Sequence, residues 1–323
     1  AHGGYGVRLA ANTFVSAKSA DSVDSSLCSS SFTSSHDVEA VKTLLRGAGL
    51  GLRRKRLFLT HTESGGEAKK LSESYEVEEE VVGQGGFGVV RKARLRQAQA
   101  VVRAVKKVSK RDLKALDFVR REIAILRRLD HPSICRLLET FEDAKAIYLV
   151  MEFIEGRELF DEIVEQSPDQ LDEKQASSVM RQVLCALRYC HARGVMHRDL
   201  KPENIMVTAY GTPRQEVKLI DFGLAVMSSK FKRRLTSSFA GTAAYTAPEV
   251  HGGTFVPVSD VWSAGMVLHA LLVGRLPSSA IISGEDTLQL SAPEYGRLSF
   301  EARDLLWRLL QPDPARGAPG PGG

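Results

Sequence analysis

The pattern of apolar and polar positions changes character twice along this chain. From Ala1 to about Ser35 the sequence is rich in Ser, Ala and Gly, which predicts disorder because little burial offsets the entropy of folding. Beyond Tyr75, short β-rich segments predict an antiparallel sheet. These segments are Tyr75–Val82, Val89–Leu95, Val101–Val108, Leu137–Glu142 and Ile147–Phe153. Helical periodicity dominates from Leu159 onward, so the pattern predicts an α+β protein in which a small β-rich lobe precedes a larger helical lobe.

The same pattern gives the expected domain bounds. A largely disordered extension comes first, with a helical pattern only at Val38–Arg46, and the Gly- and Pro-rich end predicts a flexible tail. The predicted bounds are 1–74 for the extension, 75–316 for the folded domain, 75–151 and 155–316 for its small and large lobes, and 317–323 for the tail.

Composition limits the classes of protein that this chain can represent. Of its 323 residues, 43% are hydrophobic, which is enough for a sizeable core. The formal net charge of +5 falls short of a nucleic-acid-binding signature, so no nucleic-acid partner is expected. A basic run at Arg53–Arg56 could bind acidic lipid, guide nuclear import or contact an acidic patch, but such runs are typical of solvated faces.

Cysteine spacing and hydropathy bear on location. The four cysteines form no CxxC pair and the chain has no signal-peptide pattern, which favours a cytoplasmic compartment, with nuclear or membrane-peripheral locations left open. The longest apolar stretch, Val261–Leu276, is interrupted by Ser263, His269 and Arg275. It therefore predicts a buried helix, and no transmembrane segment is expected.

A glycine cluster lies between the first two predicted strands. It consists of Gly83, Gln84, Gly85, Gly86, Phe87 and Gly88. Glycines at these positions would let backbone amides approach phosphate oxygens closely. Strands on both sides disfavour a dinucleotide-binding unit, and a plain glycine-rich hairpin is the alternative interpretation.

Two charged residues after the cluster fit phosphate binding. Lys106 follows Ala104 and Val105 on a predicted strand and supplies a cation for phosphates. Glu122 lies on the predicted helix Phe118–Leu129 and could orient that ammonium. Each residue taken singly is also compatible with an ordinary surface charge.

Two further motifs carry the strongest signal. His197-Arg198-Asp199-Leu200-Lys201-Pro202-Glu203-Asn204 precedes a strand-like segment, and Asp221-Phe222-Gly223 follows the strand Val217–Ile220. Phosphoryl transfer needs a carboxylate for the hydroxyl proton, oxygen ligands for Mg²⁺ and a cation on the transferred group. Helix or turn capping by the two aspartates is the alternative, but it does not explain five motifs in one order.

With these motifs, the chain from about Tyr75 to Arg316 resembles the eukaryotic protein kinases. The resemblance extends to Ala247-Pro248-Glu249 and Asp260-Val261-Trp262-Ser263, and it implies that Arg316 pairs with Glu249. It implies a two-lobed kinase fold, ATP and Mg²⁺ as cofactors, and transfer of the γ-phosphate to protein substrates.

The resemblance also assigns roles to individual residues. Catalytic roles fall on Lys106, Glu122, Asp199 and Lys201, and metal binding on Asn204 and Asp221. Nucleotide contacts fall on Gly83, Gln84, Gly85, Gly86, Phe87, Gly88, Val90, Ala104, Lys106, Met151, Glu152, Ile154, Glu158 and Met206. Stacked residues that link the lobes fall on Leu126, Leu137, His197 and Phe222.

Substrate and regulatory roles follow from the same resemblance. Lys201 together with Gly241-Thr242 resembles serine/threonine kinases rather than tyrosine kinases, with dual specificity as the alternative. Glu158 and Glu203 match positions that receive basic residues of the substrate, although both could be solvated carboxylates. Phosphate on a hydroxyl of the segment Thr236–Ser238 could pair with Arg198.

Within the family, phrases such as Tyr148-Leu149-Val150-Met151-Glu152 resemble the calcium/calmodulin-dependent group, and most of all plant and apicomplexan calcium-dependent protein kinases. No stretch matches the EF-hand calcium loop, so no calcium sensor is expected in this chain. The connection after Leu276-Pro277-Ser278-Ser279 is short, and we expect it to lack the helix that the family usually has there. Ala244 and Thr246 depart from the family's usual Tyr and Ile.

Two rival functions remain compatible with the sequence. A catalytically inactive scaffold is suggested by the shortened large lobe, but Lys106, Asp199, Asn204 and Asp221 are all intact. A small-molecule kinase is disfavoured by the Ala-Pro-Glu and Asp-Val-Trp-Ser motifs.

Overall fold

The structure is a computed structural model, and it describes residues 59–62, 69–85, 88–165, 172–227 and 242–312. The predicted disorder before residue 36, the helix at Val38–Arg46, the basic run, the segment Thr236–Ser238 and the tail lie outside the described residues. The described residues form two compact units. The smaller unit comprises residues up to Leu113 together with Leu137–Phe153, and the larger comprises Lys114–Arg136 and the residues from Ile154 onward.

Six strands among the described residues form one sheet in the smaller unit. Its elements are β1 (Leu59–Thr62), α1 (Leu71–Ser74), β2 (Tyr75–Gly85), β3 (Gly88–Leu95), β4 (Ala98–Ser109), β5 (Leu137–Glu142) and β6 (Ala146–Glu152). The strand order is β1-β5-β6-β4-β3-β2, and neighbours are antiparallel except for the parallel pair β1 and β5. The five strands from β2 to β6 were predicted, whereas β1 lies in the extension and was not.

One face of this sheet holds the core of the smaller unit. Its buried cluster consists of Tyr75, Ala93, Val105, Phe141 and Val150, which come from β2, β3, β4, β5 and β6. Because side chains alternate between the faces of a strand, the alternating patterns of the sequence bury one face of each strand.

Helices dominate the larger unit. Its helices are α2 (Leu113–Leu126), α3 (Leu159–Glu165), α4 (Glu173–His191), α5 (Pro248–His251), α6 (Pro257–Val273), α7 (Ser279–Ser283) and α8 (Phe300–Leu309). Its strands are β7 (Arg157–Glu158), β8 (Val195–Met196), β9 (Ile205–Thr208), β10 (Glu216–Leu219) and β11 (Val226–Met227), paired in the orders β10-β9-β7 and β11-β8. The prediction of an α+β protein with a β-rich lobe and a helical lobe is therefore confirmed.

Helix α6 is the centre of the larger unit. It begins with Pro257 at its first turn, ends at Gly274 in the left-handed conformation, and packs against α4. Nearly all of its residues are buried, which explains an apolar sequence without an amphipathic stripe. No helix within the described ranges is long and apolar enough to cross a membrane.

The connection between α6 and α8 contains a short helix, although the sequence had led us to expect none there. It contains the five-residue α7 and a single 3₁₀ turn at Pro293–Tyr295. Gly284 at the end of α7 is left-handed, and a Cβ there would lie 2.7 Å from the Pro248 side chain. The end of the short helix therefore lies against α5.

Candidate active site

The loop that carries the His-Arg-Asp motif is fixed by one buried carboxylate. Asp260, in the first turn of α6, is fully buried. Its Oδ2 accepts the backbone N–H of His197 at 2.9 Å, and its Oδ1 accepts that of Arg198 at 2.9 Å. His191 of α4 lies 2.7 Å from Oδ2 through Nε2. Because both oxygens are used, the backbone just before Asp199 has a single position relative to α6.

Arg198 has an unusual backbone that this anchor holds in place. Its φ of 70° lies in the left-handed region, which costs a residue with a side chain about 1–2 kcal/mol. Its guanidinium lies 5.1 Å from the centroid of the Phe255 ring. Burial and the nearby Arg121 lower the pKa of Arg198, while Asp260 raises it.

Asp199 lies at the centre of a polar cluster. Its Oδ1 accepts from the backbone N–H of Thr242 at 3.1 Å and from the Thr242 hydroxyl at 3.3 Å. Its Oδ2 accepts from Nδ2 of Asn204 at 3.0 Å and lies 3.3 Å from Nζ of Lys201. Lys201 also donates to the Thr242 hydroxyl at 2.8 Å. Three predicted site residues therefore meet here, with Thr242 as a fourth member whose contact with Asp199 the sequence did not indicate.

His197 joins this loop to the Asp-Phe-Gly motif. The imidazole is fully buried and its ring centroid lies 4.8 Å from that of Phe222. Burial lowers the pKa of His197, although Asp260, Asp199 and Asp221 oppose the shift. Its Nδ1 accepts weakly from the N–H of Asp199 at 3.4 Å. Of the predicted stacked residues, His197 and Phe222 touch, and Leu126 and Leu137 are buried in the larger and the smaller unit respectively.

The predicted metal ligands offer the donors that Mg²⁺ prefers. Asn204 uses its Nδ2 to donate to Asp199, so its amide oxygen remains the acceptor end. Asp221 follows β10, and one of its oxygens accepts the N–H of Gly223 at 2.8 Å. The backbone N–H of Ile220 donates to the backbone carbonyl of Asn204 at 3.1 Å, which joins the segment before Asp221 to the segment that carries Asn204. Within the described part of the chain, no group of three or more His, Cys, Asp or Glu could hold a metal ion. Proteins usually bind Mg²⁺ through one or two carboxylates together with phosphates and water, so Asp221 and the amide oxygen of Asn204 are suitable types of ligand.

Four of the predicted nucleotide contacts of the smaller unit share one face of its sheet. Lys106 is opposite Val90 in the β3–β4 register, and Ala104 is opposite Met151 in the β4–β6 register. Because Ala104 and Lys106 are two residues apart and cross-strand partners share a face, these four side chains point the same way. Lys106 is only 6% exposed.

The glycine cluster continues the hairpin of β2 and β3. Gly83 is opposite Val90, Gln84 opposite Val89 and Gly85 opposite Gly88. A Cβ at Gly88 would lie 2.4 Å from the carbonyl oxygen of Lys107, so a side chain does not fit there. Gly86 and Phe87 lie outside the described residues.

The remaining predicted contacts lie at the end of β6 and in the larger unit. Glu152 ends β6, and Ile154 is half-buried just after it. Glu158 is opposite Met206 in the β7–β9 register. Glu122 is buried in α2, with only 1% of its surface exposed.

An acidic cluster lies beside the Asp199 loop. Burial raises the pKa of Glu158, and the neighbouring Asp161 and Glu203 raise it further, while Lys201 lowers it. One carboxylate oxygen of Glu203 is buried and has no hydrogen-bond partner within the described part of the chain. Carboxylates held together in this way attract a cation.

The Ala-Pro-Glu motif is bonded to the central helix of the larger unit. Glu249 accepts the hydroxyl of Ser259 at 2.7 Å, which fastens α5 to the start of α6. Arg316, the predicted partner of Glu249, lies outside the described residues, so that ion pair stays a prediction.

The smaller unit carries a glycine hairpin and a buried lysine, and the larger unit carries an anchored aspartate, a lysine and an asparagine, which are the features expected of the protein kinase class. Comparison with known sequences agrees, because the family model described as "Protein kinase domain" matches residues 75–317. The chain belongs to the protein kinase family.

Its relatives are protein kinases by name, some of them serine/threonine-protein kinases, and several belong to the calcium-dependent groups that the sequence had indicated. Calcium-dependent protein kinase 3 of Plasmodium yoelii yoelii is 38% identical over 250 residues, which cover 75% of this chain and 46% of the relative. Calcium/calmodulin-dependent protein kinase type 1 of Macrobrachium nipponense is 37% identical over 244 residues, covering 72% of this chain and 68% of the relative. Testis-specific serine/threonine-protein kinase 3 of Mus musculus is 36% identical over 254 residues, covering 75% and 91%. The chain thus spans less than half the length of the Plasmodium relative.

Proposed function

We propose that this chain transfers the γ-phosphate of Mg-ATP to serine or threonine hydroxyls of protein substrates. The observation that carries the proposal is the set of contacts around Asp199. Its carboxylate is fixed by Thr242, Lys201 and Asn204, on a loop that Asp260 fastens to the central helix. A carboxylate positioned this way is suited to orient a hydroxyl and accept its proton.

The other residues of the site complete the proposed reaction. Lys201 has its ammonium 3.3 Å from Asp199 and would stabilise negative charge on the transferred group. Lys106 would bind the nucleotide phosphates, and Ala104 and Met151 would contact the base. Asn204 and Asp221 would hold Mg²⁺, which when bound neutralises phosphate charge.

The test is transfer of labelled γ-phosphate from ATP to a basic Ser/Thr peptide. Asp199→Asn should reduce the rate about 10²–10⁴-fold, since that is the usual contribution of a general base. Asp304→Asn is the matched control, because the one ion pair of Asp304 among the described residues is the exposed i,i+4 pair with Arg308 in α8. Fluorescence binding of an ATP analogue and thermal unfolding should match the wild type for both variants. A wild type that binds ATP and folds but transfers no phosphate would favour the scaffold interpretation.

The acidic cluster supports a preference for basic substrates. Within the described residues, one buried oxygen of Glu203 has no hydrogen-bond partner, and burial with Asp161 and Glu203 raises the pKa of Glu158, so a basic side chain of a substrate would be favourable beside them. On a peptide array, Glu203→Gln should lower kcat/KM for peptides with Arg or Lys before the acceptor, with little effect on neutral peptides. Equal losses on both peptide sets would contradict the substrate assignment and leave the proposed reaction intact.

Phosphorylation of the segment Thr236–Ser238 is part of the proposal as a regulatory step. Arg198 is half-buried close to Arg121, and its Nε has no hydrogen-bond partner within the described ranges, so an anion would be favourable beside it. Mass spectrometry of active enzyme should find phosphate in this segment. Full activity without any phosphate there would refute the regulatory step.

A further inference from the structure

The carboxylate of Glu139 joins both edges of the six-stranded sheet. Tyr75, at the start of the edge strand β2, donates its hydroxyl to Oε1 of Glu139. His61, in the opposite edge strand β1, lies 3.2 Å from Oε2 through Nε2. Burial raises the pKa of Glu139, but the bonds from His61 and Tyr75 bring it below its ordinary value. The sheet is therefore strongly curled, and one side chain in β5 contacts both of its ends.

His61 is seated in a specific place on β5. It is opposite Phe141 in the parallel register, and the two rings stack with centroids 4.4 Å apart and an interplanar angle of 17°. Its side chain is 18% exposed, and that of Glu139 is 17% exposed. The adjacent Thr60 is exposed, so His61 is the side chain of β1, among those described, that packs against β5.

The strand is nevertheless held by few contacts. Among the described strands, the four residues Leu59–Thr62 pair with β5 alone, and they lie before the region that matches the kinase family model. Short edge strands open more readily than the rest of a sheet, because few buried contacts hold them. Once opened, β5 would present unpaired backbone groups beside Phe141 and Glu139, which is the arrangement by which sheets bind extended peptides.

We propose that the β5 edge is a strand-binding site for an extended peptide with a histidine facing Phe141 and Glu139, and that its resident ligand is the chain's own segment Leu59–Thr62. Backbone pairing to β5 supplies affinity, and the contacts of the histidine with Phe141 and Glu139 supply selectivity. The segment acts as a tethered, exchangeable ligand of the smaller unit.

The first test releases the strand in the full-length chain. Because successive N–H groups of a strand point to opposite sides, replacing both Thr60 and His61 by Pro removes at least one bond to β5. By residue-resolved amide exchange, the β5 amides that face β1 should exchange at least about tenfold faster, and those that face β6 should not change. Thr60→Ala is the control. His61→Ala, which keeps every N–H, gives the same readout if the proline variant does not fold. Unchanged exchange in both variants would overturn the proposal.

The second test supplies the strand in trans. A synthetic peptide with the sequence of residues 57–64 should restore β5 protection in the released variant, and the same peptide with His61→Ala should bind about tenfold more weakly. Glu139→Gln in the protein should weaken the unmodified peptide similarly. A scrambled peptide that binds equally well, or no restoration at millimolar peptide, would overturn the exchangeable site. Concentration-dependent dimers of the wild type would overturn the assignment of the strand to its own sheet.

Discussion

Replacing Asp260 by Asn should destabilise the larger unit and disable the catalytic loop together. The two side chains have the same shape, but Asn has one acceptor oxygen where Asp has two. In the structure the oxygens of Asp260 accept different backbone N–H groups, those of His197 and Arg198, each at 2.9 Å. In the variant one of these N–H groups would face an amide N–H₂ group, and the other would lose its charged acceptor.

The expected magnitude follows from these contacts. An unsatisfied buried donor costs about 1–3 kcal/mol, and weakening a charge-assisted bond costs about 1 kcal/mol more. The sum of about 2–4 kcal/mol is a large part of the 5–15 kcal/mol that typically stabilises a domain. Arg198 then loses the contact that holds its φ of 70°, so Asp199 should leave its position. The value of kcat should therefore fall, whereas the KM for ATP should change less.

The assay is urea unfolding followed by tryptophan fluorescence, together with phosphate transfer to a peptide. Both tryptophans of the chain, Trp262 and Trp307, lie in the larger unit, so the signal reports on that unit. Asp304→Asn makes the same chemical change in an exposed i,i+4 pair, which is worth only about 0.3–0.5 kcal/mol. Equal unfolding midpoints for Asp260→Asn and Asp304→Asn would refute the anchoring role.

Three further predictions use the same unfolding measurement. Burial lowers the pKa of His269, although its bond to a backbone carbonyl and Glu294 oppose this, so the unfolded chain binds the proton first. The contribution of His269 to the free energy of unfolding is therefore present above about pH 6.5 and falls by up to about 1.4 kcal/mol per pH unit below it. His269→Gln should make the free energy of unfolding depend less steeply on pH in that range. Gly156→Ala should lower the free energy of unfolding by about 1–3 kcal/mol, because the new Cβ would lie 2.3 Å from a carbonyl oxygen of β9. Gly83 offers the comparison, because a Cβ there would make ordinary contacts at 3.6 Å. Glu173→Ala should cost about 1–2 kcal/mol because it removes two 2.7 Å bonds from Ser299 at the start of α8; an unchanged midpoint would contradict this.

The sequence predicted the strands and the order of the motifs well, because both are written in local patterns. Tyr75–Val82 lengthens to Tyr75–Gly85 in the structure, since the glycines continue the ladder with β3. The helix predicted at Phe118–Leu129 spans Leu113–Leu126, and its last turn tightens into i+3 bonds at Arg128 and Leu129. Strand β1 left no local signal, because it is specified by pairing with residues about eighty positions away.

Three aspartates near the loop show why site roles could be predicted only in part. The sequence alone does not distinguish the carboxylates of Asp199, Asp221 and Asp260, because each has two acceptor oxygens. Only their surroundings in the structure distinguish them. Asp260 is fully buried and spends both oxygens on backbone N–H groups, so it has the character of an anchor. Asp199 is part-exposed and its partners are a hydroxyl, an amide and an ammonium that can rearrange around a substrate, which suits the proposed base. Because these differences arise from long-range contacts of α6 and Thr242, motif spacing indicates where the chemistry lies, and the fold determines which carboxylate performs each role.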